Sequence, residues 1–245
     1  VNFSLNRSKV LVLSEDKDIF GGELDNTILK DQLNLMRVGE PMYVFYGYVE
    51  DGYDENGHIV YKNMDDDPAI TAADKTIIGD PNPDFLVNLT TAVSYKGFTL
   101  SAFFQSSIGN DIYSLSMAAQ AYDYGYNGNT LREVYYNHWT LENPTAKYPN
   151  LDQTSYKMSD RFVYDGSFVR LKNLELAYDV PCARNKFIKR ARVYVSAQNL
   201  FTITSYPFWD PDINANGGGS SMIQGVDSYC YPSARTYTIG CRLTF

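Results

Sequence analysis

Strict alternation at the end of the chain is the tightest constraint in this sequence. Between Arg235 and Phe245 the odd positions carry Tyr237, Ile239, Cys241, Leu243 and Phe245, and the even ones Thr236, Thr238, Gly240, Arg242 and Thr244. Successive side chains of a strand point to opposite faces, so this segment presents one apolar and one polar face to two different surroundings. In a soluble sandwich the apolar face meets the core; in a membrane barrel it meets lipid. Composition agrees with strands and turns: 21 Tyr and 13 Phe, 17 Gly and 10 Pro, and only 20% charged residues lead us to expect an all-β chain.

The same period recurs upstream. Phe85, Val87, Leu89, Val93 and Tyr95 share a phase with Thr91, against Leu86, Asn88, Thr90, Ala92 and Ser94. After Lys96-Gly97, Phe98, Leu100, Ala102 and Phe104 alternate with Thr99, Ser101, Phe103 and Gln105, which reads as a tight hairpin. A second pair is expected over 167–180 and 191–204, joined by a short basic connection. Its first strand changes phase, with Val169 and Leu171 on one face and Leu174, Leu176 and Tyr178 on the other, so a β-bulge is expected near Lys172-Asn173.

With residues 1–8 as the first, this makes about six spanning antiparallel strands. The connections 9–84, 110–166 and 205–233 are long, rich in Asp, Asn, Gly, Tyr and Pro, and must contain small elements of their own, including a strand within 43–49. Short connections alternating with long ones distinguish an up-and-down membrane barrel, with periplasmic turns and outer loops, from a sandwich.

A formal charge of -8 and a pI near 4.8 argue against nucleic acid, whose binders depend on clustered Lys and Arg. Cys182, Cys230 and Cys241, with His58 and His138, have neither disulfide-framework nor zinc spacing. No run of about 18 apolar residues is present, but a spanning strand needs only about 9–11 residues with alternate ones apolar, so a mean hydropathy of -0.33 is compatible with a membrane barrel. Residues 1–6 carry neither the charged nor the apolar region of an export signal.

Several stretches look familiar. Gly79-Asp80-Pro81-Asn82-Pro83-Asp84-Phe85 leads into a strand, followed by Tyr95-Lys96-Gly97-Phe98, Ala102-Phe103-Phe104-Gln105 and Gly109-Asn110-Asp111-Ile112-Tyr113. Further on come Phe168-Val169-Arg170-Leu171-Lys172-Asn173-Leu174, Val193-Tyr194-Val195-Ser196-Ala197-Gln198-Asn199-Leu200-Phe201, and Tyr231-Pro232 before the last strand. Together, in this order, they closely resemble the C-terminal region of SusC/RagA-type TonB-dependent outer-membrane transporters. The resemblance implies a 22-stranded barrel around an N-terminal plug, energised by the TonB complex through a TonB box and capped by a SusD-type surface lipoprotein. Plug, TonB box and earlier strands are absent here, so it implies one segment of a longer chain. It also implies the bacterial outer membrane, with long loops outside and the C-terminus on the periplasmic side. Phe245, in phase with Tyr237, Ile239 and Leu243, resembles the signal by which such barrels are recognised for insertion; the competing reading is a last core residue.

Two groups of residues stand out as sites. Asn63, Asp65, Asp67, Thr71 and Asp74 place oxygen side chains at positions 1, 3, 5, 9 and 12 of a calcium-type loop, with Ile70 at position 8. Pro68 stands where such a loop has Gly, and Asp74 is shorter than the usual Glu, so a solvated acidic loop competes with calcium. Tyr122, Tyr124, Tyr126, Trp139, Trp209 and Asp210 lie in the long connections, where aromatic faces and a carboxylate could hold a sugar or peptide or could anchor the loops. A carboxylate pair such as Asp210 and Asp212 could serve as a glycosidase dyad, but Asp-Pro-Asp is common turn composition. No nucleophile motif or phosphate loop accompanies it, and we expect no catalysis and, calcium aside, no cofactor.

The reading that follows is a part of an active importer of oligosaccharides or peptides. Its partners are the rest of the barrel and plug, the SusD-type lipoprotein, the TonB complex and membrane lipid. A secreted glycan-binding β-sandwich and a glycoside hydrolase are the rival readings. The sandwich requires that the apolar strand faces be buried within this chain.

Overall fold

The computed structural model describes residues 1–25, 29–122, 129–182, 187–213 and 223–245. Its framework is one six-stranded sheet: β1 (Asn2–Ser4), β2 (Phe85–Tyr95), β3 (Phe98–Ile108), β4 (Phe168–Val180), β5 (Arg190–Thr204) and β6 (Thr236–Thr244). Each strand pairs antiparallel with the next in sequence, which is an up-and-down meander. The first strand pairs over three residues only, shorter than the alternation of 1–8 implies.

Local chemistry accounts for the joins. Lys96 and Gly97 take φ of 46° and 87°, the pair of positive values of a type I′ turn, whose twist matches that of the strands it joins. A Cβ on Gly97 would also sit 3.1 Å from the Tyr178 ring. The phase change in β4 is a bulge: the β3–β4 register shifts between Phe103 and Phe104, and the β4–β5 register between Leu171 and Asn173. On β5, Asn199 bends opposite it with φ of 51°.

Register separates the faces. Val93, Leu100, Leu176, Val195 and Ile239 form one row across five strands, and Tyr95, Phe98, Tyr178, Val193 and Cys241 another. On the opposite face the row between them is Ser94, Thr99, Ala177, Tyr194 and Gly240, and the next row is Ala92, Ser101, Glu175, Ser196 and Thr238. The apolar rows are uncovered: Val93 is 65% exposed, Val195 52% and Ile239 84%. Each such side chain forfeits about 1.5–3 kcal/mol in water relative to burial. A contiguous face of this kind therefore marks contact with an apolar medium or partner.

The hydrophobic core lies in the connections instead. Leu33, Phe45, Tyr48, Tyr113, Leu115, Val134, Met158, Phe162 and Val226 are buried in one cluster drawn from all three long segments. Small sheets stitch it: Ile19–Phe20, Asn34–Met36, Val44–Gly47 and Thr76–Gly79 make one within the first segment. The strand expected within 43–49 is its third member. In another, Asp111–Ser114 pairs antiparallel with Val163–Asp165 and parallel with Val226–Asp227, joining the second segment to the third. The helices α1 (Leu115–Tyr122) and α2 (Arg132–Tyr136) complete this layer.

Because Phe45 is fully buried at the centre of the cluster, Phe45→Ala is expected to destabilise the loop layer by about 3–5 kcal/mol. Thermal unfolding followed by protease cleavage within 9–84 measures this, and wild-type resistance would contradict it.

Candidate functional site

The polar face of the sheet meets the loop layer around Arg170. Its side chain sits between Val169 and Leu171 in sequence and is 2% exposed. A guanidinium removed from water is tolerated only when its N–H groups are matched. Here Nε donates to Thr202 Oγ1 on β5 at 2.9 Å, Nη1 to Ser233 Oγ at 3.2 Å and Asp212 Oδ2 at 3.4 Å, and Nη2 to Asp210 Oδ1. Asp210 in turn accepts the backbone N–H groups of Asp212 and Ser233, each at 2.9 Å. Both ends of the third long segment are thus clasped to the sheet at one buried charge. Burial pushes the Asp210 carboxyl up, but the N–H groups of Ser233 and Asp212 and the Arg170 guanidinium outweigh it and hold it below its ordinary 3.8.

A second ion pair ties the first segment to the second. Arg161 Nε donates to Glu50 Oε2 at 2.7 Å and Nη2 to the Tyr53 hydroxyl at 3.1 Å, while Ser159 Oγ donates to Glu50 Oε1 at 2.6 Å. Third and second segments meet again where the Tyr206 hydroxyl lies 2.6 Å from Asp227 Oδ2 and 2.9 Å from Ser114 Oγ. Burial raises the Tyr206 pKa, as does the bond to Asp227, so the phenol keeps its proton.

The residues singled out in the sequence are dispersed over this layer. Tyr122 is buried, stacked on Tyr156 with ring centroids 3.8 Å apart and edge-on to Phe162 at 5.1 Å. Trp139 is buried with its indole over Gly57, a position with φ of 80° where a Cβ would occupy the ring's place. Trp209 is 57% exposed and stacks on Phe208 at 4.8 Å, next to the buried, clasped Asp210. Tyr124 and Tyr126 lie outside the described residues. Tyr237, Ile239, Leu243 and Phe245 all stand exposed, the first three on the apolar face of β6.

In the 63–74 loop, Asn63, Asp65 and Asp67 each accept the backbone N–H two residues on, at 3.1, 2.9 and 3.0 Å. Asp74 accepts Met64 N–H at Oδ1 and Thr71 N–H at Oδ2, both at 2.7 Å, the latter as part of a capping box with Thr71. These two N–H groups hold the Asp74 carboxyl below its ordinary range. Among the described residues no three His, Cys, Asp or Glu side chains are grouped to hold a metal ion.

Arg170 is the residue that sequence reasoning passed over, although it lies inside a quoted motif. The available signal was a charged residue in the polar phase of a strand with apolar neighbours on both sides. Removing one partner of a buried pair costs about 3–5 kcal/mol, whereas replacing both by apolar groups is often near neutral. Asp210→Ala is therefore expected to release the third segment to protease, and Arg170→Met with Asp210→Leu to restore much of the loss; equal sensitivity of the two variants would contradict the clasp. A depressed carboxyl stabilises fully above its unfolded pKa and loses this as pH falls through the folded value. Protection of the segment is accordingly expected to be flat from neutrality to about pH 4 and to fall below it, and Asp210→Asn to remove that pH dependence.

No protein-family model matches the chain. Among curated proteins it is 32% identical over 265 residues to the TonB-dependent receptor P3 of Formosa agariphila, covering 100% of this chain and 26% of that protein. It is 28% identical over 254 residues to the TonB-dependent receptor SusC of Bacteroides thetaiotaomicron, covering 100% of this chain and 24% of that one. Among solved structures, the RagAB peptide transporter superposes with a TM-score of 0.80 at 25% identity, and the RagAB peptide importer in its open-open state with 0.76 at 26%. Each superposition covers 99% of this chain and 26% of the other. The chain thus spans about a quarter of the length of these relatives, and its meander corresponds to part of a larger barrel. It belongs to the SusC/RagA family of TonB-dependent transporters.

Proposed function

We propose that the complete protein is an outer-membrane importer of oligosaccharides or peptides, and that this chain supplies the C-terminal part of its barrel wall together with the outer loop layer. The carrying observation is the uncovered apolar face that runs in register across the sheet opposite a small, polar one. Lipid on one side and an aqueous lumen on the other is the environment in which both faces are satisfied. A sandwich would bury the apolar face within the chain, whereas Val93, Leu100, Val195 and Ile239 remain exposed. The relatives are named as receptors and transporters, which speaks for transport over hydrolysis.

In this reading the turn at Lys96-Gly97 is periplasmic and the loop layer stands outside the cell. A SusD-type lipoprotein sits over that layer and hands substrate into the lumen. Energy arrives from the TonB complex through a part of the protein that this chain does not include. The clasp at Arg170 and the ion pair between Glu50 and Arg161 give the partner a preformed surface, so little ordering is required when it closes.

The test is heat-modifiable gel mobility of the complete protein in detergent, combined with point charges on the two faces. An arginine on the lipid face near the midplane costs about 2–4 kcal/mol, while lumenal substitutions are tolerated. Ile239→Arg is expected to lower the yield of heat-modifiable barrel and Thr238→Arg to leave it intact. The opposite order, or a detergent-independent soluble monomer, would overturn the proposal.

A further inference from the structure

The end of the sheet that carries the short connections separates its charges by face. In the polar phase stand Arg190, Arg192 and Arg242, together with the nearby carboxylates: Arg192 lies 3.3 Å from Asp179 and 3.6 Å from Glu175. The apolar phase ends differently. On β5 it runs Val195, Val193 and Ala191, and the backbone N–H of Lys189 continues the pairing by donating to the Thr244 carbonyl at 2.7 Å, so Lys189 closes that column. At the Lys96-Gly97 turn, Lys96 Nζ lies 5.2 Å from the centre of the Tyr95 ring, which places its ammonium on the apolar side. Among the described residues neither ammonium is paired with a carboxylate, whereas Lys17, Lys30, Lys75 and Lys147 of the long segments are.

Beside the two lysines the apolar phase is aromatic. Phe98 and Tyr178 pack with ring centroids 4.5 Å apart, Tyr95 and Phe245 stand exposed, and Phe187, in the connection that leads to Lys189, is 82% exposed. Water alone would solvate the lysines but leave these rings uncovered. Hydrocarbon alone would cover the rings and strand the ammonium groups. The boundary of a bilayer satisfies both, with rings at headgroup depth and long basic side chains reaching the phosphates. At about 4.8 Å per strand, Lys189 is about 12 Å from the turn at Lys96, so each ammonium meets a headgroup of its own. A zwitterionic headgroup brings a cation that competes with the lysine, and an anionic one does not.

We infer that Lys96 and Lys189 bind anionic glycerophospholipid headgroups at the rim of the lipid-facing wall, in the periplasmic leaflet. The inference rests on the importer reading, which sets these turns in the periplasm, and adds to it a headgroup preference. Attraction of about this kind favours an anionic lipid roughly fivefold for each lysine.

The experiment uses the complete protein in nanodiscs of equal phosphatidylglycerol and phosphatidylcholine. A photo-cross-linking residue is placed at position 187 beside Lys189 or, in a second preparation, at position 98 beside Lys96, and lipid adducts are identified by mass spectrometry. Phosphatidylglycerol adducts are expected to exceed phosphatidylcholine adducts about fivefold at each position. Lys189→Gln is expected to bring the ratio to parity at 187 and not at 98, Lys96→Gln the reverse, and Lys147→Gln in the loop layer to change neither, all with heat-modifiable mobility retained. Should a lysine variant fail to assemble, about 1 M salt on the unsubstituted protein takes its place and is expected to move the ratio toward parity. Equal adducts with both lysines present, a preference that survives their substitution or high salt, or cross-links to protein alone would each overturn the site. Absence of a heat-modifiable barrel in the wild type would instead sink the importer reading itself.

Discussion

A backbone that crosses hydrocarbon must pair every N–H and C=O within its own sheet, because the surrounding medium offers no partner. In this chain that constraint is met by nearest-neighbour pairing alone: every strand of the meander is bonded to those before and after it in sequence. The two outer edges, on β1 and β6, are left to the remaining strands of the barrel. Where the pairing slips, at Lys172 and Asn199, it does so as a matched bulge on adjacent strands, so the apolar phase recovers on either side.

Stability is divided unusually. The sheet has no core of its own, since one face is given to an apolar medium and the other to the lumen. The buried cluster lies in the long segments between strands, held by the pairing of Tyr113 with Val226 and by the pair of Glu50 with Arg161. Arg170 joins the two regions, because its carbon stem rises from the wall while its N–H groups close the base of the third segment. A buried pair of this kind adds little net stability, but leaving either partner alone is costly, so Arg170 and Asp210 hold the base of the segment together.

Much of this was legible in the residues. Alternation located the strands, the change of phase between Leu171 and Leu174 located the bulge, and Lys96-Gly97 marked the hairpin. These features are local, and a period of two reports them directly. The shared core of the long segments was not legible, because it depends on contacts between residues more than a hundred positions apart, such as Glu50 with Arg161. Aromatic residues were ambiguous for a related reason. Tyr122, Trp139 and Trp209 look alike in a loop sequence, yet two are packed inside the layer and one faces out. The polarity of Asp210 suggested a ligand, and its actual partner is a guanidinium forty positions earlier that reads locally as one polar residue on a strand.

The most direct test is accessibility along β6 in the complete protein embedded in membrane. Single cysteines at 237, 238, 239, 242 and 243, in a background without Cys182, Cys230 and Cys241, are labelled with a membrane-impermeant maleimide and, separately, probed for quenching by lipid-borne groups. Positions 237, 239 and 243 are expected to be lipid-quenched and closed to the aqueous reagent, and 238 and 242 to show the reverse. Uniform labelling, or alternation in the opposite phase, would contradict a wall that faces lipid on its odd side.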